Sequence, residues 1–315
     1  MTVTADTLQT FAAVGNREQL LDDIYRIDPT DTPLLSMAKR MTGKAKFVEW
    51  QTQALASAAT NAKVEGDEFV NKAVTATVRV GTRMQISAKT IQVSGTQQAV
   101  QSAGRRDELA YQKALATAEL KRDMEFALTQ NVASTAGNSS TAAKTGGLET
   151  WLTTNSSRGS GGSNGGWSST NTTTATDGTQ RAFTESLVKA VMLLCRASGG
   201  KPDTMMLGSF NRQVASTFTG NATKFKDITD KKLQASISVY ESDFGKLKII
   251  DNLFQRSRTG FLLDTSMLGV AYLRAFEDGD LAKTTDADKQ YVLSEYGLVV
   301  NNEAAHGVIA DLLTS

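Results

Sequence analysis

The chain has little of what most catalytic and metal chemistry needs: one cysteine, Cys195, one histidine, His306, and three prolines among 315 residues. A lone cysteine excludes an intrachain disulfide and a cysteine-built zinc site. A lone histidine excludes the usual histidine ligand set and leaves a single nucleophile–base pairing to weigh, Cys195 with His306. Cys195 falls on the apolar side of a predicted helix, where a thiol fills space, so packing is the better reading. No apolar run approaches the ~20 residues needed to cross a bilayer, and the start, MTVTADTLQTF, has neither a basic segment nor an apolar core, so no secretory signal and no membrane partner are expected. Low cysteine use fits folding in a reducing cytoplasm. With 34 basic and 33 acidic residues the formal charge is +1, which argues against a strongly basic grip on nucleic acid.

The remaining chemical motifs are weak. The glycine-rich stretch 159–166 lacks the Gly-Lys-Ser/Thr ending of a phosphate loop and no apolar strand precedes it. Glu277-Asp278-Gly279-Asp280 and Asp286-Ala287-Asp288 miss the spacing of a calcium loop and read as solvated turns. Arg105-Arg106 and Lys39-Arg40, with Lys44 and Lys46, read as surface ion-pairing groups. No catalytic residue, cofactor or metal site is assigned, and an enzyme is not expected.

What the chain does have is pattern. From 74 to 88 apolar and polar residues alternate: Val74, Ala76, Val78, Val80, Met84 and Ile86 lie on one face, Thr75, Thr77, Arg79, Arg83 and Gln85 on the other. Alternation of period two specifies a half-buried strand, and at about 3.3 Å per residue this one would extend roughly 50 Å. A strand that long overshoots its own core, so its apolar face is expected to bury on another copy of the chain. Residues 46–52, with Val48 and Trp50 in phase, read as the partner strand, making 46–90 one long hairpin with an acidic tip at Glu65-Gly66-Asp67-Glu68. The apolar phase flips at Ile91 and Val93, which places a bulge or bend near Lys89 and Thr90.

A proline-free stretch, 96–131, then carries Ala116, Leu120, Met124, Ala127 and Leu128 at helical spacing, which predicts a spine helix packed through Leu120, Met124 and Leu128. Upstream, Pro29 and Pro33 interrupt an arm, with short helices expected over 17–25 and from a Thr32 cap to Lys39. Residues 134–179 are so rich in Gly, Ser, Thr and Asn that a mobile loop is expected, with an apolar island at 147–152. A compact αβ region follows from 182: a helix after Thr184 closed by Gly199-Gly200, a strand at 205–207, a helix from Ser209, then strands at 239–240, 246–250, 261–263, 270–274 and 291–301. The class is α+β.

An arm, a long hairpin, a spine helix and a compact αβ domain, in that order, resemble the major capsid proteins of tailed bacteriophages with the Hong Kong 97-type fold. The local residues that carry the resemblance are Arg106-Asp107-Glu108-Leu109-Ala110-Tyr111-Gln112-Lys113, Glu119-Leu120-Lys121-Arg122-Asp123, Gly147-Leu148 with Trp151, Gly200-Lys201-Pro202-Asp203, Val239-Tyr240-Glu241-Ser242-Asp243-Phe244-Gly245 and Ala271-Tyr272-Leu273-Arg274. The resemblance implies an N-terminal arm over 1–45, an extended E-loop over 46–92, a peripheral domain over 93–152 and 270–315, an insertion or flexible loop over 153–181 and an axial domain over 182–269. It implies pentamers and hexamers of this chain in an icosahedral virion shell around double-stranded DNA, assembled in the host cytoplasm. A separate scaffolding protein, a portal and decoration proteins are the implied partners. Pro29, Pro33, Lys89 and Thr90 are the expected hinges that let one sequence serve both rings. The rival reading is a secreted or surface β-rich adhesion or filament subunit that uses the hairpin for strand exchange.

Overall fold

The computed structural model describes residues 27–68, 71, 73–100, 107–218 and 239–315. The helix expected over 17–25 lies outside them. Helix α1 (Pro33–Met37) opens on its proline, where a missing N–H costs nothing. It is followed by β1 (Lys39–Thr42), β2 (Phe47–Thr52), β3 (Val78–Arg83) and β4 (Gln85–Ser94). Then come α2 (Gly95–Ala99), α3 (Glu108–Thr129) and α4 (Leu148–Trp151), three two-residue strands β5 (Ser156–Ser157), β6 (Gly166–Trp167) and β7 (Thr172–Thr173), and α5 (Glu185–Ala197). The chain closes with β8 (Thr204–Leu207), α6 (Ser209–Ala215), β9 (Val239–Ser242), β10 (Gly245–Asp251), β11 (Gly260–Leu263), β12 (Leu268–Asp280), β13 (Ala287–Val300) and β14 (Gly307–Ile309).

Two sheets organise these elements. One runs β1-β12-β13-β4, the other β5-β14-β11-β8-β10-β9, and β2-β3 and β6-β7 form separate ribbons. Strands β14, β11 and β8 of the six-stranded sheet are buried on both faces, which explains why they are almost continuously apolar rather than alternating. Met206, Phe261, Leu263 and Val308 point into a core shared with α3 and the four-stranded sheet. Their neighbours Met205, Leu207, Leu262 and Ile309 point into a second core under α5, with Val188, Val191 and Cys195. The spine helix α3 buries Ala116, Leu120, Met124 and Leu128 on the first core.

Several sequence expectations are corrected. The alternating segment 74–88 is two strands, not one. Val80, Thr82 and Met84 are buried, then the inward phase passes to Ile91 and Val93, while Ile86 and Ala88 face outward. The shift falls at Met84, because there the chain leaves its ladder with β2 and joins β13. The β4–β13 register runs unbroken through Lys89 and Thr90, so the bulge expected there is absent. The described residues of 53–77 form no ladder, and the pairing of the hairpin lies between 47–52 and 78–83. Val80 and Met84 are spent on the subunit's own core and are not free for a neighbour.

The spine helix starts at Glu108, not near 96. Val100 is extended, and the Asp107 carboxylate caps the new helix by accepting from the N–H groups of Leu109 and Ala110. The helix expected to run from Thr32 to Lys39 stops at Met37. Residues Glu277 to Asp280 continue β12 rather than forming a turn, so β12 and β13 make a long twisted hairpin with register shifts around Arg274. The strand β14 lies in the six-stranded sheet, so the boundary drawn at 269/270 does not separate the two sheets.

The exchange at Met84 needs space. A Cβ on Gly297 would sit 2.9 Å from the Arg83 carbonyl oxygen and 3.0 Å from the Met84 sulfur. Backbone cannot yield as a side-chain tip can, so Gly297→Ala should lower the stability of the unassembled chain by about 1–3 kcal/mol. An unshifted denaturant midpoint would show that the crossing is looser than described.

Candidate assembly surface

The loop 53–77 carries exposed apolar side chains. Every described residue in it is exposed, including Leu55 at 98%, Val64 at 79% and Val74 at 90%. Its tip is a turn: Gly66 takes a φ of +83°, and the Asp67 N–H donates to the Val64 carbonyl at 3.1 Å. Lys63 pairs with Asp67 at 3.7 Å. At the base, the Gln53 side-chain amide donates to the Thr75 carbonyl at 3.0 Å and the Thr77 hydroxyl to Gln51 at 2.8 Å.

Below the loop the attachment is firm. Trp50 donates its indole N–H to the Asn301 carbonyl at 3.1 Å and stacks at a tilt on Trp151, 5.8 Å between ring centres. Val48 packs with Met84, Ala271 and Val299. Trp50 and Val48 thus join the loop base to the four-stranded sheet and to α4. Of the expected intersubunit face, Val74, Ala76, Val78 and Ile86 are exposed and available, and Val80 and Met84 are not. The loop's own Leu55 and Val64 were missed, because a lone apolar residue in a polar stretch carries no periodic signal.

The arm is fastened by a carboxylate that periodicity did not reveal. Glu125 is buried on α3 and accepts from the N–H groups of Leu34 at 2.8 Å and Leu35 at 2.9 Å and from the Asn252 amide at 2.6 Å. It supplies from a distance the cap that Thr32 does not give α1. Burial pushes its carboxyl above the ordinary carboxylate range, against the opposing pull of these three donors. Pro29 stands exposed before this latch and Pro33 begins the helix it holds. Lys89, an expected hinge, is instead tied to α3 by Asp123 at 2.9 Å and Glu119 at 3.6 Å; the hydrogen bond to Asp123 raises its pKa against a small burial penalty.

The glycine-rich lobe 153–181 is folded against the body, contrary to the loop expected there. Buried Glu149 accepts from Arg158 at 3.0 Å and Arg256 at 2.9 Å, and Arg256 and Arg258 reach Asp177 at 2.6 and 3.3 Å. Burial alone would raise Asp177, but the Arg256 hydrogen bond and the neighbouring guanidiniums hold it below its ordinary value. Asp311, at a φ of 61°, accepts from the N–H groups of Gly159 at 3.0 Å and Gly178 at 2.8 Å and from Arg258 at 2.8 Å. The glycines are there for close approach: a Cβ on Gly159 would lie 2.0 Å from the Thr179 carbonyl oxygen. Polar bonds and tight backbone contact hold what apolar area could not.

Cys195 and His306 are both buried, and burial disfavours the charged form of each. Burial pushes the thiol up to about 12 and the imidazole down to about 4. The His306 Nδ1 accepts from the Asp264 N–H at 3.1 Å, so the neutral ring carries its proton on Nε2, which is buried on the Met267 side. Among the described residues no group of His, Cys, Asp and Glu could hold a metal, and no helix is long and apolar enough to cross a membrane.

Residues 3–313 match the family model of the SU10 major capsid protein. The chain belongs to that family. A major capsid protein of Escherichia phage Phieco32 is 34% identical over 122 residues, which cover 38% of this chain and 35% of that relative. The aligned part is therefore about a third of the relative's length. Among solved structures, the cyanophage A-1(L) capsid asymmetric unit superposes with a TM-score of 0.67 at 14% identity over 98% of this chain and 99% of that one. The capsid of a native GTA particle gives 0.63 at 12% identity, over 96% of this chain and 98% of that chain. The satellite phage P4 procapsid gives 0.55 at 11%, over 92% and 94%. The fold is the Hong Kong 97-type capsid fold, and membership of a structural capsid family replaces the adhesion or filament reading.

The capsid chain's single histidine permits a clean measurement. Its folded pKa of about 4 lies below the ordinary 6.5. The full stability is thus present above about pH 6.5 and is lost as pH falls through about 4, a total on the order of 3 kcal/mol. The one imidazole signal in a nuclear magnetic resonance titration of the unassembled chain should stay neutral at pH 5.5. A midpoint near 6.5 would place His306 in solvent.

Proposed function

We propose that copies of this major capsid protein assemble as pentamers and hexamers into an icosahedral virion head that encloses double-stranded DNA. Each E-loop lies over a neighbouring subunit while the N-terminal arm crosses to another. The observation that carries this reading is the loop 53–77, whose Leu55, Val64 and Val74 find no cover among the described residues of their own subunit. Fully burying such a side chain is worth about 1.5–3 kcal/mol. Repeated around a closed shell, contacts that are weak singly hold together because each is made intramolecular by the others.

The near-neutral charge fits a shell that faces packaged DNA through non-specific contacts rather than one that grips it. Assembly takes place in the host bacterial cytoplasm, with a separate scaffolding protein and a portal as partners and decoration proteins as optional ones. The pivot for the two ring sizes is the arm at Pro29 and Pro33, where exposed chain meets the Glu125 latch.

Deletion of residues 53–72 tests the reading. The variant should remain folded, with an unchanged circular dichroism melting transition, and should form no shells by electron microscopy. Normal shells from the deletion would remove the E-loop from assembly.

A further inference from the structure

Beside the base of the E-loop lies a groove of ≈ 410 Å³, walled by Phe47, Met84, Ile86 and the small residues Ala142 and Ala143 of a neighbouring hairpin. Ile86 is large and 52% exposed among the described residues of its own subunit. The hairpin wall is preformed. Thr135 and Lys144 bridge it, and the Asn138 side chain accepts from the N–H groups of Ser140 and Thr141 at 2.9 and 2.7 Å. The rim is basic: Lys46 and Arg83 stand on it, and its one carboxylate, Glu295, is paired with Arg274 at 3.0 Å. Arg83 is further fixed across the Phe47 ring, 5.1 Å from its centre.

We propose that this groove is the seat for the E-loop tip of a second copy of the chain, with Val64 lodged against Phe47 and Ile86 and with Glu65 and Glu68 meeting Lys46 and Arg83. This rests on the E-loop reading above and names the receiving surface. The complementarity is of three kinds. The tip turn presents the exposed Val64 beside Glu65, Asp67 and Glu68, and Asp67 pairs with Lys63. The groove offers an apolar floor with two cations on its rim. Its volume lies in the range of sites that hold a few side chains.

Geometry selects a neighbour over the same subunit. Each arm of the loop has about a dozen residues and reaches up to roughly 40 Å, which carries the tip away from a groove that lies at the loop's own base. Tip and groove are different patches on one molecule, so the contact is head-to-tail. Such contacts propagate until the rotation between copies closes a ring. Five and six copies are two closures of the same contact, and a loop attached by a narrow base accommodates both.

The test uses the chain's lone, fully buried cysteine as a silent background. Val64→Cys and Ile86→Cys are introduced together, and assembled shells are treated with a short bis-maleimide. The expected result on a denaturing gel is a ladder of covalent species ending at five and six copies, with only monomer from either single variant. Normal shells that give no link, or a product that stops at the dimer, would overturn the assignment. Should the double-cysteine variant fail to assemble, charge exchange decides instead. Glu65→Lys with Glu68→Lys should lower shell yield roughly tenfold at low salt, and adding Lys46→Glu should restore most of it. Absence of restoration would also overturn the seat. The two readings fail differently: shells from the 53–72 deletion would sink the E-loop role itself, whereas loss of shells in that deletion without a Val64–Ile86 link would sink only the groove.

Discussion

Much of the molecule depends on one exchange of hydrogen-bonding partners. At Met84 the chain stops pairing with β2 and begins pairing with β13, and the move is possible only because Gly297 lets the two backbones nearly touch. The exchange reverses which face of the strand is inward. It buries Val80 and Met84, turns Ile86 outward and leaves the ribbon β2–β3 packed on the sheet in its own ladder, with the loop at its end. Trp50, stacked on Trp151 and bonded to Asn301, stops that ribbon from folding back. A rigid base and an unsupported tip are therefore consequences of the same crossing.

Buried charge provides the second constraint. Glu125 has no cation among the described residues; three N–H donors from the arm and from the Asn252 segment satisfy it, so the position of the arm is written on the spine helix rather than on its own sequence. Glu149 and Asp311 are satisfied by arginines and by backbone N–H groups of the glycine-rich lobe. Removing one member of such a set leaves a desolvated charge behind, which is far more costly than the set as a whole is stabilising. These carboxylates act as staples that fix relative placement.

The sequence was informative where burial is one-sided and regular. The stripe Ala116, Leu120, Met124 and Leu128 and the apolar runs of β8 and β11 were legible from spacing. It misled wherever a tertiary partner reset the pattern. Alternation through Met84 looked like one strand, because a change of ladder and a change of phase cancel in the sequence up to Ile91. Glycine and serine from 153 to 181 looked like disorder, because composition does not say which glycines are needed for contact with a carbonyl and which for freedom. Of the assembly surface, the loop and its base were visible as a whole; Glu125, Gly297 and the groove beside Ile86 were not, since each exists only through residues distant in the chain.

The continuity of β3 and β4 through Met84 also sets how the subunit bears load. Tension on the loop travels down β3 and into β4 along the strand axis. The ladder hydrogen bonds between β4 and β13 lie across that axis, over ten consecutive pairs from Tyr296 with Gln85 to Ala287 with Ser94. A pull in this direction shears all the rungs together instead of unzipping them one by one. The subunit is thus built like a lap joint, strongest along the line on which a neighbour would draw.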